Sequence, residues 1–176
     1  MSVIIDGSAG VTTNTGAVYN SIQSATAQAS TSGTSIDFTS IPSWVKRITI
    51  MFSGVSTIGT SNIQVQIGAG SVTTSGYVSS IVGGSTGNLL SGTTATSGFL
   101  CVQQLIATFL NNGHLVLTLA NTNLWVASSV MTTSTLASGV IGGGSITLGG
   151  TLDRVRITTV NGTDTFDAGS INILYE

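Results

Sequence analysis

Residues 35–68, SIDFTSIPSWVKRITIMFSGVSTIGTSNIQVQIG, decide the fold. Ile63, Val65 and Ile67 alternate with Asn62, Gln64 and Gln66, so a strand there has one apolar face and one polar, uncharged face. Ile48, Ile50 and Phe52 repeat the alternation one strand earlier, and residues 36–39 give a shorter segment before it. Pro42, the only proline, separates that segment from the strand beginning near Trp44, where it breaks the sheet without removing a ladder donor. Strands of this kind in series predict an antiparallel sandwich.

Working outward, glycine-punctuated apolar segments at residues 77–82, 99–107, 115–119, 124–127 and 146–148 continue the pattern. Gly83-Gly84 and Gly142-Gly143-Gly144 read as loops between them. Asn112-Gly113 is a type I′ turn signature, and a two-residue loop there sets Leu110 opposite Leu115 and Phe109 opposite Val116. Ile106 and Leu110 would then share a face with Leu115, Leu117 and Leu119, while Phe109 and Val116 keep the other face apolar too. Such a hairpin has one side for the core and one for another subunit. Asn161-Gly162 predicts a second hairpin, with Ile157 opposite Phe166, Val155 opposite Ala168, and Arg156 in a cross-strand ion pair with Asp167. Ile171, Ile173 and Tyr175 end the chain inside a strand. The expected fold is an all-β antiparallel sandwich, jelly-roll-like, over residues 35–176.

Residues 1–34 differ. Val3, Ile4 and Ile5 suggest a short strand closed by Asp6-Gly7, after which small and polar residues dominate. Val18, Ile22, Ala25 and Ala29 have the spacing of a narrow helical stripe, so residues 16–29 are expected to be either a short helix or an extended arm ordered by a partner.

Composition narrows the function. Of 176 residues only 6% are charged, the net charge is −2, and no Asp, Glu, Lys or Arg occurs between Ile48 and Leu152. Four basic residues cannot make the phosphate-neutralising footprint of a nucleic-acid binder or the basic face of a membrane-surface protein. No apolar run approaches the roughly 20 residues of a spanning helix. MSVIIDGSAG has no basic n-region, so no secretory signal is expected. Cys101, the single cysteine, lies in Phe99-Leu100-Cys101-Val102 and reads as a small buried hydrophobe.

Candidate chemistry is sparse. His114 is the only histidine available to a nucleophilic triad, it sits beside the Asn112-Gly113 turn, and no G-x-S-x-G elbow accompanies it. Asp164 and Asp167, the nearest carboxylate pair, are three apart in a strand and would point to opposite faces, which does not suit a glycosidase. Asn161-Gly162-Thr163-Asp164 lacks the spacing of a calcium loop, and Gly142-Gly143-Gly144 is not followed by Lys-Ser or Lys-Thr as a phosphate cradle requires. Trp44, Trp125, Tyr19 and Tyr77 are the candidate aromatic platforms for a sugar; Trp44 and Trp125 read as core, while Tyr77, next to Gly76 and amid Ser and Thr, reads as the most exposed. No catalytic, cofactor-binding or metal-binding residue is expected.

The C-terminal LDRVRITTVNGTDTFDAGSINILYE, together with IPSWVKRITIMFSGVSTIGTSNIQVQIG, resembles a module of tailed-bacteriophage virion proteins, especially tail-fibre or tail-tip components. The likeness covers residues 35–176 and is weakest in the middle third; the opening IIDGSAGVTT resembles the short anchoring starts of phage fibres. The resemblance implies a jelly-roll sandwich assembled as a homotrimer, with a structural or adhesive role and no catalysis. Residues 1–34 would then anchor the chain to other virion proteins, and the sandwich would face a host surface glycan. No long shaft is present, so the chain matches either a short tail fibre or a capsid decoration (cement) protein; a polysaccharide-degrading enzyme is a third reading. The expected location is the virion, with synthesis in the host cytoplasm.

Overall fold

The structure is a computed structural model, and it describes residues 3–6, 10–13, 18–19, 22–85, 91–133 and 138–176. The strands in chain order are β1 (Val3–Asp6), β2 (Gly10–Thr13), β3 (Val18–Tyr19), β4 (Gln23–Ser24), β5 (Gln28–Ala29), β6 (Ser35–Thr39), β7 (Arg47–Thr57), β8 (Ile63–Ala69) and β9 (Ser71–Val72). They continue with β10 (Val78–Ser85), β11 (Ser91–Ala95), β12 (Phe99–Val102), β13 (Asn111–Asn121), β14 (Leu124–Thr133), β15 (Ser138–Thr147), β16 (Arg154–Thr159) and β17 (Phe166–Tyr175). No helix occurs among the described residues.

Two antiparallel sheets pack into a sandwich. The larger runs β11-β10-β15-β14-β13-β7-β17-β4, with β5 also on β17, and the smaller runs β12-β8-β16-β6, with β9 on β8. The pairs β7–β17, β8–β16 and β10–β15 nest in the rolled-ribbon order of a jelly roll, and the β13–β14 hairpin is inserted between β7 and β15. The alternation in residues 35–68 sets the core: Ile48, Ile50, Ile63, Val65 and Ile67 are fully buried, opposed by Leu115, Leu117, Val155 and Ile157. Cys101 lies in β12, whose four residues are all buried, as expected of a small hydrophobe.

Both Asn-Gly readings need correcting. Asn112-Gly113 lies within β13, and the hairpin to β14 turns instead at Thr122-Asn123. Gly113 marks a bulge against β7; its φ is 141° and a Cβ there would stand 2.2 Å from the Val130 carbonyl oxygen. Asn112 Oδ1 accepts from Gly54 N at 2.8 Å. This pair therefore serves a close approach of strands, not a turn. Ile106 and Leu110 are exposed and share no core face with Leu115, whereas Phe109 is buried. Asn161-Gly162 is a turn, with Gly162 at φ 69°, but it carries the chain from one sheet to the other. β16 pairs with β6 and β8, β17 pairs with β7, and Ile157 faces Ile36 and Val65 in place of Phe166. Val155 likewise faces Phe38 and Ile67, not Ala168. The 58–62 connection crosses between the sheets alongside it, joined by Val160 N to Asn62 O at 2.9 Å and Ile58 N to Thr165 O at 2.9 Å.

The glycine runs are not loops. Gly83-Gly84 lies in β10 and Gly142-Gly143-Gly144 in β15. A Cβ on Gly144 would stand 2.2 Å from the Val78 carbonyl oxygen and 3.0 Å from Phe99 Cδ1, so the sheet closes down on this strand only because side chains are missing.

The helix expected over residues 16–29 is also not formed where the chain is described: Val18–Tyr19, Gln23–Ser24 and Gln28–Ala29 are strand, and 14–17 and 20–21 lie outside the described residues. Ala25 N donates to Ile173 O at 3.0 Å and Ser30 N to Gly169 O at 2.9 Å, so the open edge of β17 supplies the acceptors a helix would have found within itself. β1, β2 and β3 form a separate three-stranded antiparallel sheet, with Val3–Ile5 in a strand as the sequence suggests.

Candidate functional site

The residues singled out for chemistry do not converge. His114 is exposed on the outer face of the large sheet, where its register neighbours are Met51 on β7 and Val130 on β14. Asp164 is committed to the turn: its Oδ1 accepts from Asn161 Nδ2 at 2.7 Å and its Oδ2 from Ser61 N at 3.0 Å. Asp167 is exposed on β17. Among the described residues no group of three or more His, Cys, Asp or Glu is placed to hold a metal. Trp125 is buried, and Trp44 is half-buried with its ring 5.9 Å from that of Tyr175. The side chain of Tyr19 lies outside the described residues.

Tyr77 is not exposed but among the most buried side chains, at 1%. Its ring meets Phe99 edge-on at 5.0 Å. Its hydroxyl accepts from Ile67 N at 2.8 Å and lies 3.0 Å from the Thr73 carbonyl oxygen and 3.2 Å from that of Ile67. β12 pairs with β8 only over residues 63–65, so at Ile67 the phenol takes the place of a missing strand. Burial pushes its pKa up to about 12, partly opposed by the Ile67 hydrogen bond.

The polar chemistry gathers on the outer face of the small sheet. β6, β16 and β8 lie side by side, and the inward residues Ile36, Ile157 and Val65 bury themselves, so the alternate positions face out in rows. One row is Asp37, Arg156 and Gln66; the next is Ser35, Thr158 and Gln64. The expected Arg156–Asp167 pair is replaced by a bidentate one to Asp37, Nε to Oδ1 at 2.7 Å and Nη2 to Oδ2 at 2.9 Å, because β6 and not β17 is the neighbour of β16. The Asp37 carboxylate raises the pKa of Arg156, against a lowering from burial and from Arg154. Arg154 pairs with Asp153, and that guanidinium, with the Gly70 N–H, holds the Asp153 carboxyl below its ordinary value.

Ser97, in the β11–β12 connection, folds over this face. Its carbonyl accepts from Gln66 Nε2 at 2.9 Å and its hydroxyl donates to Gln64 Oε1 at 2.8 Å. With Arg156, Thr158 and the Asn161-Gly162 turn it walls a recess of about 320 Å³. Gln64 and Gln66 are 2% and 6% exposed, values uncommon for glutamine on the outside of a sheet. The sequence showed the two glutamines as a polar strand face; the wall over them comes from a segment 31 residues further on and left no local signal.

A second surface is apolar. Across the outer face of the large sheet the register sets Val82, Ile141, Val130, His114 and Met51 in one row over five strands. Ile141 is 59% and Val130 55% exposed, and Val78 and Val126 stand nearby, also exposed. Comparison with protein-family models, with curated proteins and with solved structures gave no match.

Proposed function

We propose that the chain is a non-enzymatic structural protein of a tailed-bacteriophage virion, a short tail fibre or tail-tip adhesin. In this reading its N-terminal residues hold it to the particle and its sandwich meets the host surface. The observation that carries the reading is the division of the chain: β1–β3 form a sheet that joins neither sheet of the sandwich, while 22–34 are stitched along β17. A short independent sheet ahead of a closed sandwich suits an attachment segment, and the resemblance of residues 41–68 and 152–176 to tail-fibre modules supports the same division. The uncharged surroundings of His114 support the structural reading over a hydrolytic one.

The row Val82, Ile141, Val130 and Met51 is the face through which copies of the chain would pack into a homotrimer. The test is location and copy number. A chain lacking residues 1–21, which leaves β4 and β5 in place, should fold and oligomerise but fail to join particles, and antibody labelling of wild-type virions should mark the tail. Labelling of the head at hundreds of copies would replace the fibre reading with a decoration protein docked by the same apolar face. Normal incorporation of the truncated chain would refute the anchor.

A further inference from the structure

We propose that the recess over Gln64 and Gln66 is a binding site for a neutral saccharide. The argument begins with charge. Arg156 is the only ionised side chain in the wall, and both carboxylate oxygens of Asp37 already hold it. The Asp37 carboxylate already neutralises the Arg156 charge, so an anionic ligand would gain little beyond one hydrogen bond from the free Nη1, and a cationic one finds no free carboxylate in the wall; the recess therefore favours neutral ligands.

Hydrogen-bonding capacity comes next. Gln66 is nine-tenths buried, its Nε2 is spent on the Ser97 carbonyl, and its Oε1 meets no donor among the described residues. That oxygen is open to the recess, where water or a ligand can donate to it. On the same wall Arg156 uses Nε and Nη2 for Asp37, leaving Nη1 as a donor, and Thr74 adds an exposed hydroxyl. Free groups of both kinds on one concave wall match a ligand whose neighbouring hydroxyls each donate and accept. Apolar ligands are disfavoured, since Val160 is the only apolar side chain in the wall.

Rigidity is the third element. Gln64 is fixed by Ser97 and by its own Nε2 to the Thr159 carbonyl, and Thr158 Oγ1 donates to Thr34 O at 2.8 Å, so the wall needs no reordering to receive a ligand. The volume sits at the small end of the range for small-molecule sites, and the wall holds no aromatic platform. Single-site affinity should therefore be in the millimolar range, with usable strength coming from several copies on one particle.

This deepens the adhesin reading, yet it is tested on the isolated full-length chain and stands apart from where the protein sits on a virion. The probes are galactose, glucose and N-acetylglucosamine, with sialic acid and glycerol beside them, titrated while the side-chain amide signals of Gln64 and Gln66 are followed by NMR. The expected result is that at least one neutral sugar shifts the Gln66 signal saturably. Gln66→Met should weaken that binding about tenfold with the fold intact, as should Arg156→Gln, which keeps a neutral donor but loses the guanidinium. Movement of these signals by none of the neutral sugars at tens of millimolar would overturn the proposal. So would equal movement by glycerol, or binding of sialic acid alone.

Discussion

Replacing Tyr77 by Phe removes one oxygen and leaves the edge-on contact with Phe99 in place, so it isolates the hydroxyl that closes the edge of β8. Ile67 N then loses its acceptor in a fully buried stretch, while the Ile67 carbonyl keeps the Thr73 N–H at 3.0 Å. An orphaned buried donor costs about 1–3 kcal/mol, and the bond from the phenol to the Thr73 carbonyl contributes roughly 1 kcal/mol more, less what is regained by no longer burying a hydroxyl. The expected loss is about 2 kcal/mol, or roughly 4–8 °C in Tm for a chain of this size. Urea unfolding followed by the fluorescence of the buried Trp125 measures it, with an unchanged m value showing that the transition is the same one. A second signature lies in pH. The folded pKa of about 12 exceeds the ordinary value near 10, so the wild-type advantage is complete below pH 10 and lost as pH rises toward 12. The gap between wild type and Tyr77→Phe should close over that interval. A loss below about 0.5 kcal/mol at pH 7 would refute the claim that the phenol stands in for a strand.

The Arg156–Asp37 pair is about a third exposed on each side, so Arg156→Ala should cost no more than about 1 kcal/mol, and a double-mutant cycle should show coupling to Asp37 and none to Asp167. Gly144→Ala should destabilise by roughly 1–3 kcal/mol in a thermal melt, because its Cβ would meet backbone at 2.2 Å; a neutral result would mean β10 and β15 are further apart than described. Burial raises the Cys101 thiol pKa, so a maleimide should label it only after unfolding, and rapid labelling of the native chain would contradict a closed β12.

Strand existence was legible in the sequence wherever alternation was strict, and Ile63, Val65 and Ile67 occupy the core as their spacing demands. Partnership was not. Asn-Gly implies a backbone needing positive φ, and both pairs supply it, but Gly113 uses it for a bulge and Gly162 for an arch between sheets. A local turn preference cannot tell a hairpin from an arch, because the choice depends on which remote edge is free, and here β6 and β8 claim β16 from both sides. Tyr77 misled for a related reason: its small, polar sequence neighbours suggested a surface, while the contacts that bury it come from Phe99, Ile67 and Thr73.

One sequence feature carried through to function-bearing geometry, namely the absence of charge between Ile48 and Leu152. That window supplies β10, β11, β13, β14 and β15 of the large sheet, whereas β6 and β16, which bring Asp37, Arg154 and Arg156, flank it in sequence and lie together in the small sheet. Charge is thus absent from β10, β11, β13, β14 and β15 of the large sheet, while Arg47 on β7 and Asp167 on β17 stand toward its other side. The outer face of the large sheet has no ion to desolvate along the row from Val82 to Met51, which favours burial against another surface. The small sheet keeps its ions paired and its amides fixed, which favours a face left open to a polar ligand. One substitution on each face separates their roles: Val130→Glu should abolish self-association and leave sugar binding unchanged, while Gln66→Met should weaken sugar binding about tenfold and leave self-association unchanged. Loss of both properties in either variant would mean that the two faces do not act independently.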